Sequence, residues 1–339
     1  MPIKTTLRSG AGTLSVLTLL AALAGSNGAI AGDLNPPSGA VAPTMKTLEQ
    51  VESRTAIPGG LNQPTYTITE PGSYYLTGNR VTTSSGLYES IVVEASNVTI
   101  DLNGFSIIMQ NSFMQHGVYI ADTNENAAHS NITVKNGTLS GAFSDSPLAM
   151  GNGVACRVQN VTVRGATGAT GIEIGRGGVV TDSIVENCNT GFSGNHATFV
   201  NCTATYNQTT GFSLYQSVAR ECDARFNGDF GFVANTRCVI ERSSAMDNDP
   251  GGPGAGIYVF GDGSRIDNNT LSGGYYGVFL HNAATNSFVT RNAVRIGNGA
   301  PFAMNGQVAG NFPNNHVAQI LTDPTNQFTT TNPWANFAH

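Results

Sequence analysis

From Gly171 onward the chain repeats one short arrangement of hydrophobic and polar positions: a glycine, an apolar residue, then alternation. It starts at Gly171-Ile172, Gly191-Phe192, Gly211-Phe212, Gly231-Phe232, Gly256-Ile257 and Gly277-Val278. Successive starts lie 20, 20, 20, 25 and 21 residues apart. Alternation with a period of two predicts a strand with one buried face. Recurrence at a fixed short period predicts stacked repeats, each burying its apolar face against its neighbours.

A second series runs between the glycines. Three apolar or small residues recur at offsets of zero, three and five: Ile100, Asn103 and Phe105; Val134, Gly137 and Leu139; Val158, Val161 and Val163; and so on through Phe199, Cys202 and Ala204 to Val289, Asn292 and Val294. The step of three breaks strict alternation, as a corner between two short strands does. Each coil then holds at least two strands and two corners, with no room for a helix. At a strand spacing of ~4.8 Å, nine coils predict a rod on the order of 40 Å long. Residues 142–150 and 249–254 lengthen the spacing and read as insertions looping out from the rod.

The inward positions align as columns. Ile172, Phe192, Phe212, Phe232, Ile257 and Val278 each follow a repeat glycine, so three phenylalanines are expected to pile up in file. Asn187, Asn207 and Asn227 stand four residues before their glycines and suit hydrogen bonds along the stack or a left-handed turn. Cys202 and Cys222 share one column, Cys156 and Cys238 another, and Cys188 completes the five cysteines. Their spacing fits no zinc site. Two readings stand: buried thiols filling small core positions, or disulfides with one cysteine left over.

The ends differ from the repeat. Lys4 and Arg8, an apolar run over 14–23 and Ala29-Ile30-Ala31 read as a cleavable export signal over residues 1–31. The run is too short to span a bilayer, so the mature chain is expected to be secreted or held at the cell surface without membrane insertion. Residues 32–65 read as a linker and N-terminal cap, rich in Pro and Gly at first, with a capping box at Thr47 and Gln50. Tyr66-Thr67-Ile68 and Tyr74-Tyr75-Leu76 alternate like strands around Pro71-Gly72. The solenoid is expected over 66–311 and an irregular capping tail over 312–339.

Composition narrows the partners. The formal net charge is −6, and Lys46 and Lys135 are the only lysines beyond the leader. No basic stripe is available to neutralise phosphates, which argues against nucleic acid. Oligomeric state leaves no trace in the sequence.

The stretch Asn201-Cys202-Thr203-Ala204-Thr205-Tyr206-Asn207 with Gly211-Phe212, its copies, and the opening Ser96-Asn97-Val98-Thr99-Ile100-Asp101-Leu102-Asn103-Gly104-Phe105 resemble the coils of right-handed parallel β-helix proteins. The resemblance covers about residues 66–300. It implies an all-β, right-handed parallel β-helix of nine or more coils in the pectate lyase-like superfamily. That superfamily includes pectate and alginate lyases, polygalacturonases, mannuronan epimerases, phage tailspikes and adhesins. With the linker and the closing Asn332-Pro333-Trp334-Ala335-Asn336-Phe337, the chain resembles a group of uncharacterised bacterial secreted β-helix proteins. The Asn-Thr-Asp, Asp-Asp, Gly-His-Gly and Arg-x-Lys motifs of polygalacturonases are missing, as is the Asp-Pro-His motif of epimerases: Asp249-Pro250 is followed by Gly251. The resemblance therefore transfers no catalytic residue.

Candidate chemistry rests on the outward columns. Two and four residues after the glycines stand Glu173, Ser193, Asn195, Ser213, Tyr215, Val233, Asn235, Tyr258, Phe260, Phe279 and His281. Exposed rings beside Asn and His suit a sugar, which needs a flat apolar partner and nearby hydrogen bonds. Tyr215, Tyr258, Phe260, Phe279 and His281 are thus candidate substrate-binding residues, unless residues 250–254 or the tail cover them. On the other strand Arg220, Glu221, Asp223, Glu241, Arg242 and Asp267 form either a surface ion-pair ladder or a lyase-like site with an arginine base and a calcium ion. No motif supports calcium, and no cofactor or metal site is expected. The histidines form no metal-spaced cluster. The expected function is binding or modification of extracellular polysaccharide, with catalysis open and a lyase the form it would take. The alternative is a non-catalytic surface, structural or adhesive solenoid.

Overall fold

The computed structural model describes residues 53–83, 89–110, 115–121, 128–249, 252, 254–295, 300–304, 307–308, 316–317, 320–322 and 332–338. The expected leader, the Pro/Gly-rich linker and the Thr47/Gln50 capping box lie outside them, as does much of the 312–339 tail. Every described element is a strand. The glycine-led strands form one sheet, from Tyr66–Ile68 through Thr190–Asn195, Thr210–Tyr215 and Ala255–Val259 to Phe302–Met304, all parallel, with antiparallel Gln307–Val308 at its edge. The short strands between them pair with their equivalents one coil on, forming the second sheet. The chain is a parallel β-solenoid of about ten turns, and at ~4.8 Å per turn its axis is about 50 Å long.

The phenylalanines stack as the sequence predicts. Phe192, Phe212 and Phe232 are fully buried; their ring centroids lie 4.7 and 4.8 Å apart at 8° and 10°. Phe199 meets Phe192 and Phe212 edge-on at 5.7 and 5.9 Å. Volume is balanced across the coil. Beside these phenylalanines the last column of the offset series holds Ala204, Ala224 and Ala245 in register, whereas Val185 and Leu271 occupy it near Ile172 and Ile257. Large side chains facing small ones fill a core of constant width. The repeat glycines are a matter of space: a Cβ on Gly211 would sit 2.6 Å from the Gly231 carbonyl and 2.9 Å from Asn227 Nδ2.

Each coil turns three corners, one more than the minimum the sequence implies. At each corner a residue in the left-handed region precedes a buried, usually small or polar one. Asn201-Cys202, Glu221-Cys222 and Arg242-Ser243 form one corner column; His196-Ala197, Gln216-Ser217 and Arg237-Cys238 a second; Tyr206-Asn207 and Phe226-Asn227 the third. The buried side chain stabilises the turn by bonding main chain. Cys202 and Cys222 Sγ donate to the carbonyl two residues back, at 3.4 and 3.3 Å, as Ser183 and Ser217 Oγ do at 2.8 Å. Asn227 Oδ1 accepts the Asn207 N–H at 3.1 Å while its Nδ2 donates to Ala204 O at 3.2 Å, clamping two coils together. Asn269, Asn292 and Asn336 form a second amide ladder. All five cysteines are free and buried; burial raises the Cys188 thiol to about 11, so the thiols serve as corner donors as well as filler.

Four expectations change. Ile100, Asn103 and Phe105 do not form one inward set: Leu139 pairs with Ile107, Leu102 lies against Gly137, and exposed Asn103-Gly104, both at positive φ, add a turn. Residues 142–150 are not a plain insertion, because Leu148–Met150 is a full rung between His116–Ile120 and Thr170–Ile174. Asn187 takes the left-handed turn, at φ 55°, and not the hydrogen bond along the stack; Cys188 stands in the amide ladder instead and its N–H donates to Asn207 Oδ1 at 3.0 Å. Parallel pairing begins at Thr55–Ile57, ahead of residue 66, and the closing Asn336–Ala338 pairs in parallel with Ala293–Arg295. Near the start, buried Arg80 donates to Ser90 Oγ and to the carbonyls of Pro58, Pro64 and Ser90, tying the first coils together.

Phe212→Ala removes the middle ring of the file and is expected to cost about 3–5 kcal/mol through the cavity left behind. Urea unfolding checks it; an unchanged midpoint would contradict the stacked column.

Candidate functional site

The outward residues of the glycine-led sheet sit on strands whose register fixes their neighbours. Tyr258 pairs with Phe279, and Val233 with Tyr258. The Tyr258 and Phe279 rings stack at 5.5 Å and 13°, and Phe260 stacks on His281 at 4.7 Å and 25°. The Ala283 N–H donates to His281 Nδ1 at 3.2 Å, so in the neutral ring Nε2 carries the proton. Burial pushes the Tyr258 phenol above its ordinary value. Tyr258 and Phe279 are half-buried, whereas Phe260 is 44% exposed.

Four of the five sequence-predicted residues thus form one cluster. Tyr215 stands apart. Its ring meets His196 edge-on at 6.0 Å, and the coil between it and Phe260 carries Asn235 at this position. Three further rings join the cluster: Phe230 against Tyr258 at 4.8 Å, Tyr276 against Phe279 at 4.9 Å, and Tyr275 edge-on to Tyr276. Phe230 and Tyr276 both stand immediately before a repeat glycine. That column is threonine in the three preceding coils, at Thr170, Thr190 and Thr210, so the change from Thr210 to Phe230 was the available signal.

The charged residues of the other sheet form an ion-pair ladder. Arg220 bonds Glu241 at 2.7 Å, and Arg242 reaches Glu221 at 3.2 Å and Glu241 at 3.4 Å. At the end of the ladder Asp267 is buried beneath Arg265 and Arg291. Burial alone would raise its carboxyl, but hydrogen bonds from Arg291, Arg265 and Thr290 outweigh this and hold it at about 2. Paired in this way, Arg220 and Arg242 are poorly placed to act as a base. Among the described residues no group of three or more His, Cys, Asp or Glu side chains could hold a metal.

Residues 129–294 match the family model described as right handed beta helix region. The match covers just under half of the chain; with the parallel rungs and the repeated corners it identifies the fold as a right-handed parallel β-solenoid. Among solved structures it is similar to a double mutant of the tailspike protein of E. coli bacteriophage HK620, at 12% identity over 79% of this chain and 59% of that one, TM-score 0.58. It is also similar to the Dettilon tailspike, at 14% identity over 74% and 62% of the two chains, TM-score 0.51. A third is the A-module of mannuronan C-5 epimerase AlgE4 from Azotobacter vinelandii, at 14% identity over 79% and 87%, TM-score 0.46. The chain spans about three fifths of the tailspike chains, and at these identities the likeness is one of fold. No curated protein matches it.

Asp267 predicts an acid limb of stability. Its folded value lies below that of the unfolded chain, so its contribution is complete above pH ~4 and is lost as pH falls towards 2. The difference is worth roughly 2 kcal/mol. Denaturant midpoints between pH 5 and 2 should fall less steeply in Asp267→Asn than in the unsubstituted protein.

Proposed function

We propose that this is a secreted protein that binds extracellular polysaccharide along the C-terminal half of its glycine-led face. Tyr258, Phe260, Phe279 and His281 form the platform, extended by Phe230 and Tyr276. The observation that carries the proposal is the continuous run of rings on adjacent rungs, exposed at Phe260 and at Tyr275 (40%). Rungs repeat at ~4.8 Å, close to the length of one sugar unit, so a chain lying along the axis can set successive rings against successive side chains. His281 Nε2–H supplies a donor beside the platform, and the strands hold it preorganised, which lowers the entropy cost of binding. An HK620 tailspike of the same fold was solved in complex with pentasaccharide, which supports the fold as a carrier of glycan sites. Export rests on the leader pattern over residues 1–31.

The reading is one of binding. Glu173 is the one carboxylate two or four residues after the six repeat glycines that start at Gly171, and it lies four rungs from Tyr258, about 19 Å at the rung spacing. Paired glycosidase carboxylates stand roughly 5–9.5 Å apart.

Mature protein recovered from the culture medium, beginning at Gly32, is expected to be retarded in affinity gels containing extracellular polysaccharides. Phe260→Ala should weaken that binding about tenfold, in the range of an interface anchor, with an unchanged melting temperature because the side chain lies outside the core. Retention that is identical in Phe260→Ala would remove this face from the site, and release of unsaturated products would turn the binder into a lyase.

A further inference from the structure

A second concavity opens on the other sheet, at the C-terminal coils. Its described lining is Arg265, Phe288, Thr290, His316 and Trp334, around about 520 Å³. Phe288 and Trp334 are 54% and 52% exposed, an unusual state for two large rings facing one cavity. The backbone beneath them is regular: Phe288 pairs with Arg265 on one side and His316 on the other.

The charge in this pocket is uneven. Asp267, buried and bonded to the lining residues Arg265 and Thr290, holds two guanidinium groups on one carboxylate, so Asp267, Arg265 and Arg291 together carry one net positive charge. Arg291 is committed: it binds Asp267 through Nε at 2.7 Å and through Nη2, and lies over the Trp334 ring at 5.0 Å. Arg265 is not. It spends only Nη2 on Asp267, at 2.7 Å, and its Nε and Nη1 donors meet no acceptor among the described residues. With its side chain 51% exposed, it presents Nε–H and Nη1–H as separate donors at the mouth of the pocket.

We propose that this pocket is a binding site, separate from the glycine-led face, for a small ring compound carrying a carboxylate. The ring lies between Phe288 and Trp334, and the carboxylate accepts hydrogen bonds from Arg265. A charge-assisted hydrogen bond from Nη1 or Nε of Arg265 suits a carboxylate oxygen, and the flanking rings shield one side of that pair from water. A sugar acid and an alicyclic acid share this chemistry. The proposal stands or falls independently of polysaccharide binding at Tyr258 and Phe260.

Trp334 is the only tryptophan in the chain, so intrinsic fluorescence excited at the indole band reports on this pocket. The full chain is titrated with glucuronate, cyclohexanecarboxylate and neutral glucose, none of which absorbs there. A saturable change with one or both acids and none with glucose is expected, and the stronger acid identifies the ring type. Arg265→Gln should weaken the response at least about tenfold, as loss of a charge-assisted bond does, while Phe260→Ala leaves it unchanged. No saturable change with either acid, an equal response to glucose, or an unaltered titration in Arg265→Gln overturns the proposal. Circular dichroism of Arg265→Gln distinguishes lost binding from lost folding; if that variant is unfolded, Phe288→Ala serves in its place with the same expected loss.

Discussion

The structure depends on the register between successive coils, and that register is set at the corners. A chain that closes a turn in about twenty residues must bend sharply three times. Each bend places a residue such as Glu221, Arg242 or Phe226 in the left-handed region, which is unfavourable for a side chain with a Cβ. The following buried residue offsets that cost. Cys, Ser and Asn at these places are short enough to lie inside the turn and polar enough to satisfy the main chain on their own coil or the one below. A slip of one residue would break a whole column of these bonds and turn every strand's apolar face outward.

Once register is fixed, the rest of the interior follows. The glycine-led strand can approach the amide ladder closely because it has no Cβ to collide with the next carbonyl. The phenylalanines stack in file because neighbouring coils place the same residue in register, and the column across from them shrinks to alanine. The same rule operates outside. Residues two and four places after the glycine form external columns, so single substitutions along the chain become a strip of rings or a ladder of charges. A binding surface on such a scaffold is a set of adjacent rungs, held without any loop having to fold over it.

The site was partly legible. Tyr258, Phe260, Phe279 and His281 could be grouped because strand alternation and the repeat length place them on one face. Tyr215 obeys the same rule and still stands apart, since the ring count drops in the coil between. Phe230 and Tyr276 were hidden because they precede the glycine, where the three coils before Phe230 carry threonine. The pocket around Trp334 was not legible as a unit: Arg265, Phe288 and Thr290 lie on repeat strands, but His316 and Trp334 come from residues after 295, outside the repeat.

The residue pattern by itself determined the all-β solenoid, the file of phenylalanines and the two faces of the glycine-led strand, because each follows from a period and periods are local. The third corner, the rung at Leu148–Met150, the extra turn at Asn103-Gly104 and the place of Cys188 in the amide ladder were decided by tertiary structure. The last three are cases where a coil gains or loses residues and the stack absorbs the change at a corner. Spacing alone does not say at which corner that happens; the hydrogen bonds to the coils above and below do.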